Sequence, residues 1–167
     1  MQFEDVFNAK VTPLNNLPEI LHQKNDENRI LFESILSLDR PVSQSESQTE
    51  STDIHRLEKK IDAVLLLLND LVLNSQPDFI PTRITLKPEG VNLNESVNPE
   101  NCPFLELQLY LLPWYPKPAV FWLVKQDEPG DYLFSGMDTD VQELYQRILF
   151  RFHRREIHQK RSASPEN

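Results

Sequence analysis

Three glycines and one cysteine in 167 residues exclude more than they permit. A loop that cradles phosphates draws on several closely spaced glycines, so no glycine-rich nucleotide-binding loop is expected. A lone cysteine, Cys102, rules out an internal disulfide framework, and no basic-then-apolar leader opens the chain. No apolar run approaches the roughly 18 residues that a spanning helix needs, so membrane insertion is not expected and the location reads as cytoplasmic. Basic charge is also short. The net charge is -9, which argues against a generic nucleic-acid or anionic-membrane surface. The balance is uneven: residues 1–53 hold ten acids against four bases, residues 140–167 four acids against six bases. Catalytic constellations are missing too. His22, His55, His153 and His158 are scattered, and the last two, five apart, do not share a helix face. Asp138 and Asp140 flank Thr139 as helix-start residues, and nothing near Cys102 activates a thiol. No catalytic residue, metal-ligand set or cofactor is assigned, and the chain does not read as an enzyme.

What is present begins with a heptad repeat. Ile54, Leu57, Ile61, Val64, Leu68 and Leu71 follow a 3-4-3-4-3 spacing, with Ile54, Ile61 and Leu68 at a and Leu57, Val64 and Leu71 at d. In the second half Leu65 and Val72 fall at e, Leu66 and Leu73 at f and Leu67 at g. A two-stranded zipper buries only the a/d seam, so a helix this apolar must be covered on several sides. Two readings follow: a core helix of a single domain, or a self-associating coil of more than two strands. We adopt the second, with Ile54, Leu57, Ile61, Val64, Leu65, Leu68, Leu71 and Val72 as oligomerisation residues.

Around this segment the chain divides into three. Residues 1–53 read as a loose arm (1–16, anchored by Phe3, Val6 and Phe7), a helical stretch from Pro18 to Leu38, and a polar linker. The helical stretch is interrupted by the polar run Gln23–Asn28, giving one long helix or two short ones. Its apolar face is a natural cover for the surplus leucines of the coil, its own or a neighbour's. The linker Asp39–Asp53 holds almost nothing to bury. Residues 54–76 form the heptad helix, ended by Pro77.

Residues 77–167 switch to strand periodicity. Ile80–Lys87, then Val91 and Leu93 beyond the Pro88-Glu89-Gly90 turn, precede the segment Phe104–Leu111. There Leu105, Leu107, Leu109 and Leu111 alternate with Glu106, Gln108 and Tyr110. Ala119–Val124 and Tyr132–Phe134 add strands, joined by a Glu128-Pro-Gly-Asp131 turn. Thr139 and Gln142 have capping-box spacing, and Val141, Leu144, Tyr145, Ile148, Leu149 and Phe152 repeat on one helical face. Arg151, Arg154 and Arg155 turn the end of this helix basic, where its dipole favours cations.

The segments Ile84-Thr-Leu-Lys-Pro-Glu-Gly-Val91, Leu105–Pro113 and Phe134-Ser-Gly-Met137, followed by an Arg-rich helix, resemble a PilZ domain from near Phe79 to the chain's last helix. The preceding helical half resembles an atypical subgroup in which a long heptad helix assembles tetramers. The resemblance implies an α+β fold: a six-stranded antiparallel barrel with a C-terminal helix, preceded by a helical hairpin that includes a coiled-coil helix. It also implies a bacterial component of cyclic di-GMP networks, surface motility or type IV pili. Its partners would be other copies of itself and signalling or pilus-assembly proteins.

Ligand-binding PilZ domains carry RxxxR before the barrel and (D/N)xSxxG on it. Paired guanidinium forks meet phosphate oxygens and guanine edges together. Here no RxxxR precedes the barrel and Arg83 stands alone; aligning Gly90 with the motif glycine puts Lys87 and Thr85 at the serine and acid positions. A glycine after Pro-Glu is explained as a turn residue. Arg151 and Arg155 have the RxxxR spacing at the opposite end of the domain. The usual nucleotide site thus lacks its residues. The candidate ligand or partner contacts are Arg83, Trp114, Tyr115, Arg151, Arg154 and Arg155, and the main expectation is an adaptor working by protein contacts. The alternative is a cyclic di-GMP receptor with a non-standard arginine site.

Overall fold

The computed structural model describes residues 1–38, 78–93 and 102–163, together with positions 54, 57, 61, 64, 65, 68, 71, 72 and 75. The linker after Leu38 and the polar loop after Leu93, both read from sequence, lie outside the described residues. Six strands close an antiparallel barrel: β1 (Phe3–Leu14), β2 (Ile80–Lys87), β3 (Gly90–Leu93), β4 (Phe104–Leu109), β5 (Ala119–Lys125) and β6 (Asp131–Phe134), in the order β1-β2-β3-β6-β5-β4. A first helix (Leu21–Leu38) and a C-terminal helix (Thr139–Ala163) pack on each other and on the barrel.

The inward faces follow the period-2 pattern. Leu105, Leu107 and Leu109 of β4 are fully buried, as are Ile84 and Leu86 of β2, while Glu106 and Gln108 face outward. The Glu128–Asp131 turn forms as the sequence indicates. The Asp131 amide donates to the Glu128 carbonyl at 3.1 Å, with Gly130 at φ 80° in the position where a Pro-Gly turn needs a left-handed residue. Gly90 has a different reason from the one its sequence context suggests. It lies in β3, and a Cβ there would stand 2.0 Å from the Tyr132 carbonyl oxygen of β6, so close strand approach, not the turn, requires glycine.

The expected loose arm is instead β1, and the barrel takes its first strand from the chain's start. Phe3–Ala9 pair with Leu86–Ile80 of β2, and Ala9–Leu14 with Leu109–Phe104 of β4. Phe7 and Ala9 are buried and Phe3 half-buried, at the alternate spacing of an inward face. The strand therefore bridges two neighbours, one with each half.

The stretch before Leu38 is one helix, and its polar interruption is structural. Asn25 and Asn28 are each only 3 % exposed. Asn25 Nδ2 donates to the Gly136 carbonyl at 2.8 Å. The Asn28 amide donates to the Val120 carbonyl at 2.6 Å and accepts from the Val120 amide at 3.0 Å. Asn28 thereby satisfies both backbone groups of a β5 residue beyond the reach of β6, which pairs only with Leu123–Lys125. Arg29 ties the same helix to the C-terminal one, contacting Asp26 and Asp140 at 2.7 Å each. The surplus leucines Leu66, Leu67 and Leu73, which the sequence set under the apolar face of the first helix, lie outside the described residues. Leu31, Phe32, Ile35 and Leu36 join the barrel core together with Tyr145, Ile148 and Phe152 of the C-terminal helix. Gln142, read as a capping-box partner, turns its Nε2 to the Pro88 carbonyl at 3.4 Å.

Candidate interaction surfaces

The described heptad positions are helical, and their seam faces outward from the single chain. Ile54, Leu57, Ile61, Val64, Leu68 and Leu71 are between 44 and 67 % exposed, while Leu65 and Val72, at e, are half-buried. Scattered exposed apolar residues are ordinary, but these six recur at a/d spacing and are all exposed to water.

Around Gly90, which the resemblance aligns with a motif glycine, the polar side chains make internal contacts. Lys87 Nζ reaches Asp131 Oδ2 at 2.5 Å, and Asn92 donates to the other oxygen of the same carboxylate. These contacts, the Lys87 hydrogen bond first and the Asn92 bond second, hold the Asp131 carboxyl below its ordinary value of 3.8 despite partial burial. Because the folded group titrates below the unfolded one, its contribution is fully present above pH 3.8 and is lost as pH falls through the folded value. Asp131→Asn should therefore cost about 1 kcal/mol at neutral pH, allowing for the partly open Lys87. It should also flatten the acid limb of the stability curve below about pH 4, as read by urea unfolding at stepped pH.

The four candidate arginines do not form one site. Arg83 lies on the outer face of β2, 3.5 Å from Glu4. Arg151 donates to the Leu36 carbonyl at 2.8 Å, closing the last turn of the first helix, where unpaired carbonyls and the dipole both favour a cation. Arg151 and Arg155 do meet Trp114 around a small cavity of about 80 Å³, floored by Ile35, Ile148 and Phe152. Arg154 lies on a separate open surface with Glu143, Arg147 and Phe150, which Arg151 also borders. Trp114 and Tyr115 are half-buried, stack edge-on with centroids 6.2 Å apart, and pack against the core.

A second concavity, missed in the sequence, lies between the start of β1, residues 111–113 and the C-terminal helix, with a volume of about 370 Å³. Its apolar lining comes from Phe3, Phe7, Leu112 and Phe152. The Phe3 ring stands 5.2 Å from that of Phe152 and 6.3 Å from that of Phe7. The alternate spacing of Phe3 and Phe7 was its only sequence signal. Among the described residues no group of His, Cys, Asp or Glu could hold a metal ion, and no helix is long and apolar enough to cross a membrane.

Residues 35–162 match the family model described as "Atypical PilZ domain, cyclic di-GMP receptor". The chain belongs to the atypical PilZ family. The barrel with its two packed helices also resembles a solved structure of a pathogenic protein from Xanthomonas campestris, described as a tetrameric PilZ domain self-assembled via an unusual helical bundle. The two share 18 % identity at a TM-score of 0.66, over 94 % of this chain and 90 % of that one. Among curated proteins none matches. The family match begins at Ile35, so the matched stretch includes neither β1 nor most of the first helix, although both complete this barrel and its core.

Proposed function

We propose that this atypical PilZ protein is a non-enzymatic, homo-oligomeric adaptor of cytoplasmic cyclic di-GMP-related signalling, of the kind that regulates motility or type IV pili. It acts through protein contacts, and the heptad helix assembles a tetramer that displays four barrels. The observation that carries the reading is the exposed a/d seam from Ile54 to Leu71, which a lone chain leaves in water. Burying one Leu, Ile or Val side chain is worth about 1.5–3 kcal/mol, so such a seam is a strong drive to associate. The tetrameric assembly described for the Xanthomonas campestris protein supports the same use of the helix.

A second reading, a cyclic di-GMP receptor with a non-standard arginine site, draws on the family's description and on Arg147, Arg151 and Arg154 around the exposed Phe150. An aromatic ring flanked by guanidinium groups suits a base and phosphates. Calorimetric titration with cyclic di-GMP, with the mass in solution determined on the same sample, separates the two. A multimeric mass with no binding heat is the result expected of the adaptor. Saturable heat that disappears in Arg154→Glu would transfer the function to the receptor, and a monomeric mass would remove the oligomer from both.

A further inference from the structure

Among the described residues, one strand edge of the barrel is left open along the start of β1. The Tyr110 amide donates to the Asn8 carbonyl at 3.1 Å, and beyond it residues 111–113 diverge from β1. Among the described residues, Phe3 to Asn8 are thus paired with β2 on one side and, apart from that bond, have no strand on the other. In an antiparallel strand the N–H and C=O of one residue point the same way and alternate along the chain. Since Asn8 faces the β4 side, Val6 and Glu4 face it as well, toward the groove. The Val6 amide is held there by its neighbour, the Asp5 carboxylate, at 2.8 Å. The contrast with β5 is informative, because there Asn28 fills the corresponding gap with both a donor and an acceptor. At β1 the fold supplies an apolar floor and acidic surroundings instead. Glu4, Asp5 and Glu156 line the groove against a single base, Arg155.

We propose that this edge is a docking slot for an extended, alternately apolar and basic segment of a partner protein, added to the barrel as a further strand along Glu4–Val6. Backbone bonds to Glu4 and Val6 supply the affinity common to strand addition. Apolar side chains on one face enter over Phe7, Leu112 and Phe152, and basic ones on the other meet Glu4. An open strand edge beside an apolar floor attracts any extended chain, and the acidic lining selects among them by excluding acidic segments. The inference names a partner chemistry for the adaptor reading and rests on that reading only for the use to which the binding is put.

The test is fluorescence anisotropy of the full-length protein with a labelled, acetylated and amidated hexapeptide of alternating lysine and valine. Saturable binding by about 1 mM is expected, weakened at least about tenfold when alternate backbone amides of the peptide are N-methylated. Val6→Pro should weaken it similarly, because the Val6 amide faces the open edge and its loss removes no bond to β2. A peptide alternating glutamate and valine should not bind. Absence of saturable binding to the lysine peptide overturns the proposal, as does undiminished binding of the N-methylated peptide, which is read on unaltered protein even where Val6→Pro fails to fold. Solution mass on the same sample tells a failed slot from a failed oligomer.

Discussion

Leu57→Asp combined with Val64→Asp should reduce the mass in solution to that of the single 19.6-kDa chain while leaving the far-ultraviolet strand signal in place. Both positions are d residues, 58 and 54 % exposed in the isolated chain, so a carboxylate at either meets water in the monomer and costs the barrel little. In an assembled coil the same carboxylates would be buried against apolar neighbours without a partner. Each such burial costs several kcal/mol, and a tetramer repeats the cost in every chain. Size-exclusion chromatography with light scattering and circular dichroism on the same fractions read the two effects apart. If the whole chain unfolds instead, the helix is part of a single core and the adaptor's assembly is lost as an explanation.

The choice of d positions matters. Leu65 and Val72, at e, are already half-buried in the single chain, so charges placed there would confound assembly with folding. Surface positions of the C-terminal helix, such as Arg154, are the natural controls, because they lie outside both the seam and the core.

How far the fold could be read from sequence depended on whether a residue's neighbours were implied by its own local pattern. The alternation of Leu105, Leu107 and Leu109 with Glu106 and Gln108 required no other information, since one face is core and the other is wet. The helical stripe from Val141 to Phe152 was equally self-sufficient. β1 was not, for its partners lie some 70 to 100 residues away and Asp5 interrupts the inward series of Phe3, Phe7 and Ala9. Asn25 and Asn28 misled in the opposite direction. Polar residues in mid-helix read as a break, yet both are buried because distant backbone groups need them. The arginine spacing was legible and its meaning was not. The i, i+4 pair Arg151 and Arg155 matched a ligand motif, but Arg151 serves the end of another helix. The groove beside β1 could not be read from residues alone, because its walls come from three stretches far apart in the chain: the start of β1, residues 111–113 and the C-terminal helix.

Tyr145→Ala should have the converse effect to the seam variant, melting the barrel at a much lower temperature while the protein, below that melt, stays multimeric. Tyr145 is 1 % exposed and stands at the junction of both helices with the barrel, its ring 5.1 Å from Phe134, 5.7 Å from Phe121 and 6.2 Å from Phe32. Its hydroxyl donates to the Lys87 carbonyl at 3.1 Å, so removal leaves both a cavity and a part-buried carbonyl without that donor. Large-to-small changes of this size cost about 3–5 kcal/mol, a large share of the 5–15 kcal/mol that holds a domain together. For a chain of this length that corresponds to a melting point lower by roughly 6–20 °C in calorimetry. Tyr145→Phe keeps the ring and loses only the hydrogen bond, so about 1–2 kcal/mol is expected. Burial pushes the Tyr145 hydroxyl well above the usual tyrosine range, so it remains a neutral donor at working pH and its bond to Lys87 should not titrate. The two variants divide the molecule: one removes assembly and spares the barrel, the other loosens the barrel and spares assembly. A Tyr145→Ala protein that dissociated before its barrel melted would tie the heptad helix to the core and contradict that division.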